Sequence, residues 1–419
     1  KIVCFMNLLL FLSVVLFHLG LDIKGGFLGV DMFFVISGFL ITKKIAYEVE
    51  KDNFCIYRFW NRRFRRILPA MIVVIMITLI AGYYILLPSE YINLAKSIFF
   101  QSVFLSNIFF WNDVGYFLPD AENKPLLHLW SLSVEEQFYL FFPLLIICIN
   151  KLYLRKKLFF ILLLICILSL LLHAYGTIYH PRATFYLLPT RIWEFGAGSL
   201  VALSKKEIRI RKTYRLLLLF FIIISIIIPL LLCTPKSEFN TLYNILIVAS
   251  IVLYLRFYNQ LKKTYLSNFL RNSSMVFMGL ISYSLYLWHW PIITFVKLHY
   301  GDLYFDFLIP IIILLFIVSF ITWKYIETPF RSGLFNNNKL IFKIGFSSLF
   351  IISLISLTIY ANKGFPERYP SNINKVIEDL TWNGSKYQYY ENKFNHQNLK
   401  NIGITDDLFI KKTDFVLIG

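Results

Sequence analysis

The chain has 419 residues, 58% of them apolar, and a mean hydropathy of +0.64, which excludes an ordinary soluble domain of this size. Its net charge of +18 would suit nucleic acid only if the basic residues formed a continuous soluble face, and here they punctuate apolar segments. Five cysteines (Cys4, Cys55, Cys148, Cys166, Cys233) lack the even, close spacing of a disulfide framework or metal site, and nothing resembles a phosphate-binding loop or dinucleotide fingerprint.

A membrane span needs about 20 apolar residues. Segments of that kind run over 2–21, 27–42, 67–87, 134–149, 158–174, 185–203, 216–233, 242–257, 275–295, 303–326 and 340–361. The shorter stretch 96–110 is interrupted by Gln101, Ser102, Ser106 and Asn107, and reads as interfacial or re-entrant. The expected fold is therefore an all-α polytopic membrane protein with about 11 transmembrane helices. Loop charges fit that count. Loops 43–66, 150–157, 204–215 and 258–274 are rich in Lys and Arg, whereas 22–26, 111–124 and 234–241 are not. The positive-inside rule then places the N-terminus in the cytoplasm and everything after 361 outside.

In chain order, the polar residues inside these greasy segments are the informative ones, because an ionisable group in hydrocarbon is costly unless it has a partner or water. His18 lies near the end of the first span and Asp31 early in the second. His128, Glu135 and Glu136 stand at the mouth of the fourth; Arg182, Arg191 and Glu194 fall at the start of the sixth. The predicted topology puts all of them in the outer half. Gly29 and Gly38 read most simply as sites of close helix packing.

Six motifs occur in order: Leu16-Phe17-His18 with GGFLGVDMFFVISGF at 25–39, YRFWNRRFRRILP at 57–69, HLWSLSVEEQFY at 128–139, RIWEFGAG at 191–198, SYSLYLWHWP at 282–291 and ETPFR at 327–331. Together they resemble the membrane acyltransferase family 3 over about residues 8–335, the polysaccharide or O-antigen O-acetyltransferase type. The resemblance implies ten spans in an acyltransferase core (1–335) and one further span (336–361). An extracytoplasmic linker (362–413) and the first strand of a truncated SGNH hydrolase-like α/β domain (414–419) would follow. It also implies a bacterial cytoplasmic membrane location and no permanently bound cofactor. Acetyl-CoA or another acyl-CoA would be the co-substrate, and the acceptor a surface polysaccharide or lipid-linked glycan.

One position departs from the pattern. The family carries a basic residue eleven positions before the histidine, and Asn7 stands there. The chain also begins with Lys1 rather than Met, so an incomplete N-terminus is expected. Residues 1–7 either derive from an altered or truncated reading frame or leave the donor site incomplete. An inactive remnant is thus one reading.

Acyl transfer to a hydroxyl requires that the hydroxyl lose its proton during attack. Neutral imidazole near pH 7 suits that task, so His18 is the first candidate for general base, with transient acyl carrier as its alternative and a hydrogen-bonded structural histidine as the plain one. Asp31 is the expected partner that fixes its tautomer, and Glu135 a further catalytic carboxylate. Arg182 or Arg191 would hold an oxyanion or a phosphate. The remaining expected substrate contacts are Ser37, Arg62, Arg63, His128, Trp130, Ser131, Glu136, Glu194 and His289. Plain readings stand beside these. One of Glu135 and Glu136 answers the helix dipole, Trp130 is an interface anchor or a sugar platform, and His289 is structural or functional. The Arg58–Arg66 cluster anchors the inner face, contacts coenzyme A phosphates, or does both. A transporter or flippase of lipid-linked sugars is the rival class. Such proteins show internal repeats with broken helices in matching halves, and no repeat of that kind is present here.

Overall fold

The computed structural model describes residues 11–113, 121, 123–152, 157–204, 208–234, 240–261, 272–332 and 338–369. Asn7, most of the 362–413 linker and the strand expected at 414–419 lie outside them. The described residues form helices and turns, with no strand among them. Hydrocarbon favours that outcome: every backbone N–H and C=O must be satisfied within the protein, and a helix does so inside its own segment.

Nine helices among the described residues are long and apolar enough to cross a membrane. We number the helices in chain order: α1 (11–18), α2 (Gly29–Glu50), α3 (Ile56–Ile85), α4 (Pro88–Ser102), α5 (Ser106–Asp113), α6 (Leu129–Lys151), α7 (Leu158–Tyr179) and α8 (Pro181–Tyr186). Then come α9 (Ile192–Leu203), α10 (Lys212–Leu232), α11 (Asn240–Leu261), α12 (Ser273–Tyr300), α13 (Leu308–Thr322), α14 (Thr328–Arg331) and α15 (Asn338–Ala361). A π-helical turn over Trp323–Glu327 joins α13 to α14.

Two segments differ in form from the other spans. The expected span 185–203 is broken at the Leu187–Arg191 turn, which contains Pro189. The remaining helix α9 has 12 residues, or about 18 Å at 1.5 Å per residue, short of the roughly 30 Å hydrocarbon core. The stretch around 96–110 becomes the pair α4 and α5, with 15 and 8 residues. Its interrupting polar residues form a buried knot against α6. Gln101 Oε1 accepts from the Ser106 and Ser133 hydroxyls at 2.7 and 3.0 Å, and Asn107 Nδ2 donates to the Tyr186 carbonyl at 3.1 Å. Irregular backbone is tolerated at membrane depth when protein covers it in this way.

The tightest helix pair is α2 against α9. A Cβ built on Gly38 would stand 1.9 Å from the Phe195 carbonyl oxygen, and one on Gly198 would stand 1.9 Å from that of Val35. Backbone meets backbone at both points, so only a hydrogen side chain fits. The Thr42 hydroxyl donates to Ser199 Oγ across the same seam at 2.7 Å. The seam holds α2 between α9 and α6, and α2 carries both Asp31 and Ser37.

Candidate active site

Three histidines from three separate parts of the sequence meet near the start of α6. The His289 ring lies 5.5 Å from His18 and 5.4 Å from His128, centroid to centroid. All three are buried. Trp290 packs edge-on against His18 at 4.2 Å, and its Nε1–H donates to the Lys124 carbonyl at 2.7 Å. Among the described residues, no three His, Cys, Asp or Glu side chains converge closely enough to hold a metal ion.

Local chemistry fixes the state of the His289 ring. His289 Nδ1 lies 2.5 Å from the Tyr286 carbonyl, which can only accept, so Nδ1 carries the hydrogen. Nε2 is then the unprotonated, basic nitrogen, and it is buried with no hydrogen-bond partner. Pro291 sits inside α12 and has no N–H to offer its fourth residue back, Leu287. His128 lies beside that Leu287 carbonyl, but neither of its ring nitrogens makes a well-aligned hydrogen bond. The Tyr286 hydroxyl donates to the His128 carbonyl at 2.7 Å, which leaves it to accept from Ser131 Oγ at 2.6 Å. An unpaired buried polar group costs about 1–3 kcal/mol, so these nitrogens are a cost to stability within the cluster.

A narrow cleft of about 70 Å³ lies next to this cluster, with Ser131 and Tyr286, which both bond the His128 carbonyl, in its wall and none of the three histidines. Ser131 and Tyr286 line its histidine end; Glu135, Ser282 and Tyr283 follow, and Tyr139 and Arg66 lie farther along. Ser131 to Tyr139 is eight residues of helix, about 12 Å. Glu135 Oε1 accepts from Ser37 Oγ at 2.6 Å and from the Tyr139 hydroxyl, tying α2 to α6. The Arg63 guanidinium stacks over Tyr139 at 5.2 Å, and the buried Glu136 lies in the field of Arg63 and Arg66. Arg62 is paired with Glu48 at 2.9 Å. The ETPFR segment closes the same end. Glu327 accepts from Arg331 at 2.8 Å and from Ser284 at 3.2 Å, and Arg65 reaches the Phe330 carbonyl at 3.5 Å.

Several expected site residues sit elsewhere. Asp31 does not orient His18: its carboxylate accepts from Arg191 at 2.6 Å and from Asn244 Nδ2 at 3.0 Å. Arg191 also donates to Glu194 at 2.9 Å and to the Phe185 carbonyl at 3.1 Å. Asp31, Arg191 and Glu194 are therefore a buried ionic knot that locks α2, α9 and α11 together, with Nε and Nη1 of the guanidinium committed inside the protein. The reason is burial. Two carboxylates taken out of water need a cation, and the nearest one is Arg191, opening α9 across the Gly38–Gly198 seam. Arg182 is exposed on the short α8. Trp130 is neither an interface anchor nor a sugar platform, being 2% exposed and packed between Phe34, Phe185 and Tyr186. Ser37 spends its hydroxyl on Glu135 and does not line the cleft.

Sequence reasoning gave no individual role to Arg66, Tyr139 or Tyr286, although all three stand inside the quoted motifs. Spacing was the available signal. Ser131, Glu135 and Tyr139 recur every four residues, and so share one face of α6.

The acyltransferase domain family matches residues 6–326. The peptidoglycan O-acetyltransferase OatA of Listeria monocytogenes is 30% identical over 354 residues, covering 78% of this chain and 55% of the relative. The O-acetyltransferase OatA of Staphylococcus aureus (strain NCTC 8325) is 30% identical over 335 residues, covering 76% and 55%. A further S. aureus relative (strain COL), also named for O-acetyl transfer, is 31% identical over 347 residues, again covering 76% and 55%. The chain thus spans about half the length of the relatives it matches, and no solved structure matches it. With the ordered motifs, the multi-pass helical fold and the family match in agreement, this chain belongs to the acyltransferase domain family.

Proposed function

We propose that this protein transfers an acetyl group from acetyl-CoA, or another acyl group from its acyl-CoA, to a hydroxyl of an extracytoplasmic glycan. The observation that carries the reading is the cluster of three buried histidines, bonded through the His128 carbonyl to Ser131 and Tyr286 in the wall of a cleft that Arg66 also lines. Relatives named as O-acetyltransferases, one of them for peptidoglycan, favour a cell-wall glycan over O-antigen or lipopolysaccharide as acceptor.

In this mechanism a histidine nitrogen takes the acceptor hydroxyl's proton as the oxygen attacks the thioester carbonyl. The C–O bond forms, the C–S bond breaks, and the thiolate leaves to be reprotonated. His18 and His289 are the bases. His289 is the better defined, because the Tyr286 carbonyl fixes its tautomer with Nε2 unprotonated. The Ser131–Tyr286 pair positions His128 through its backbone. The donor enters at the arginine end, where Arg62, Arg63 and Arg66 meet the coenzyme's phosphates, and the thioester arm threads the cleft toward the histidines. Glu135 and Tyr139 hold the cleft wall rather than exchange protons with substrate. In this reading the basic loops face the cytoplasm by the positive-inside rule, so the arginine end is inside and the histidine end outside.

The test is transfer of radiolabelled acetyl from acetyl-CoA to a wall-type glycan by the full chain in lipid nanodiscs. Loss of transfer in both His18→Ala and His289→Gln, with acetyl-CoA binding retained, is the expected result. Wild-type rates in either folded variant would remove that histidine from the chemistry, and an inactive wild-type chain that binds no acetyl-CoA would sink the proposal.

A further inference from the structure

A second cavity, of about 320 Å³, opens beside the histidine cluster, between the start of α4, the end of α5 and the 123–126 segment. That volume falls at the small end of ordinary ligand sites. Its polar lining is mixed: Glu90, Asn93 and Ser97 from α4, Asp113 from α5, and Asn123 with Lys124 from the segment that leads to His128. Carboxylate, amide and hydroxyl groups around one hollow are suited to a ligand that offers both donors and acceptors in several directions. That is the chemistry of a neutral sugar. Lys124 and Asp113 neutralise one another in an ion pair, so the cavity does not select strongly for net charge.

Its placement links it to the reaction. The Lys124 carbonyl on its wall accepts from Trp290, whose ring packs on His18. Leu126 on the same wall is two residues before His128. The wall is also braced. Arg368, beyond the last span, donates to the Tyr83 and Leu86 carbonyls, and its guanidinium lies 5.0 Å from the Tyr91 ring centroid. It thereby fixes the turn that delivers Glu90, whose Oε2 accepts from the Leu87 N–H at 3.0 Å.

Resting on the acyl-transfer reading above, we infer that this cavity is the acceptor site, which binds a hydroxyl- and amide-bearing sugar unit of the glycan and presents one hydroxyl to the histidines. The thioester cleft and the sugar cavity then approach the histidine cluster through different walls, Ser131 and Tyr286 for the one and Lys124 to Leu126 for the other. Asn93 and Asn123 are the specificity-determining contacts, since each side-chain amide supplies both a donor and an acceptor.

The experiment uses the detergent-solubilised full chain and a tetrasaccharide of N-acetylglucosamine, with binding read by equilibrium dialysis and transfer read separately from labelled acetyl-CoA. Asn93 and Asn123 are exposed, so their alanine variants leave the packing untouched. Asn93→Ala and Asn123→Ala should each weaken glycan binding at least fivefold and raise the acceptor KM in step, with the KM for acetyl-CoA unchanged. Asn362→Ala, exposed outside the cavity, serves as the control and should bind as wild type. Absence of tetrasaccharide binding by the wild-type chain, or wild-type affinity in both asparagine variants, overturns the site. If binding follows the expected pattern but no acetyl is transferred, the cavity stands and the transfer reading falls.

Discussion

Arg191→Met separates a structural ionic knot from a catalytic one. In the native chain the guanidinium serves Asp31 at 2.6 Å, Glu194 at 2.9 Å and the Phe185 carbonyl at 3.1 Å, with both carboxylates under 4% exposed. Removing it strands two buried carboxylates, only one of which keeps another donor, Asn244. Breaking one buried pair costs about 3–5 kcal/mol, and typical total stability is only about 5–15 kcal/mol. Arg191→Met should therefore yield little folded protein. Asp31→Asn leaves the Arg191–Glu194 pair in place and forfeits only one charge-assisted hydrogen bond, about 1.5–3 kcal/mol, so it should fold with a lowered Tm. Adding Asp31→Asn and Glu194→Gln to Arg191→Met removes the stranded charges and should recover much of the lost stability. The assay is a temperature ramp followed by size-exclusion chromatography in detergent, with acetyl transfer normalised to the folded fraction. An Asp31→Asn variant with wild-type Tm and a hundredfold loss of transfer per folded molecule would refute this reasoning and return Asp31 to the chemistry.

His289→Gln keeps the hydrogen bond to the Tyr286 carbonyl but lacks a basic nitrogen, so transfer should fall about 10²–10⁴-fold with Tm unchanged; wild-type kcat would contradict the assignment. Gly38→Ala drives a Cβ into the Phe195 carbonyl, and a cost of about 1–3 kcal/mol should appear as a lowered Tm in the same temperature ramp. Burial pushes the Glu90 carboxyl from 4.5 up to about 7 against the opposing pull of the Leu87 N–H and Arg368, with Tyr91 and Tyr369 also at hand and Asp113 and Lys124 across the cavity. A raised folded-state value means that this contribution to stability is complete below about 4.5 and is lost as pH rises through about 7. Glu90→Gln should flatten the dependence of Tm on pH over that window, and an unchanged profile would count against the shift. For orientation, an impermeant thiol reagent applied to intact cells should label cysteines placed at Asn123 and Lys363 but not at Arg62; labelling at 62 would invert the topology.

Much of this protein was determined by its sequence alone. The apolar runs dictate helices in a membrane because a continuous run of about 20 residues matches a spanning helix, which satisfies its backbone hydrogen bonds within itself, whereas a spanning barrel strand needs only about 9–11 residues. Their lengths predicted most of the spans, 185–203 being the exception, and Gln101, Ser102, Ser106 and Asn107 marked a segment of different form, which folds as the pair α4 and α5. The histidine pattern was also legible, since an ionisable ring in an apolar run is costly without a purpose. Partner choice was not legible. Asp31 looked available to His18, thirteen residues earlier, but its cation comes from Arg191, 160 residues later, because the Gly38–Gly198 contact brings α9 against α2. Trp130 and Ser131 are adjacent in sequence, yet one enters the core and the other the cleft, as the helical turn of about 100° per residue requires. The break at Pro189 that shortens α9, the convergence of His18, His128 and His289, and the cavity behind Lys124 all depend on which helices touch. Tertiary packing alone decides that, because contacts between helices in lipid turn on shape and buried polar pairing rather than on the hydropathy that sequence reveals most directly.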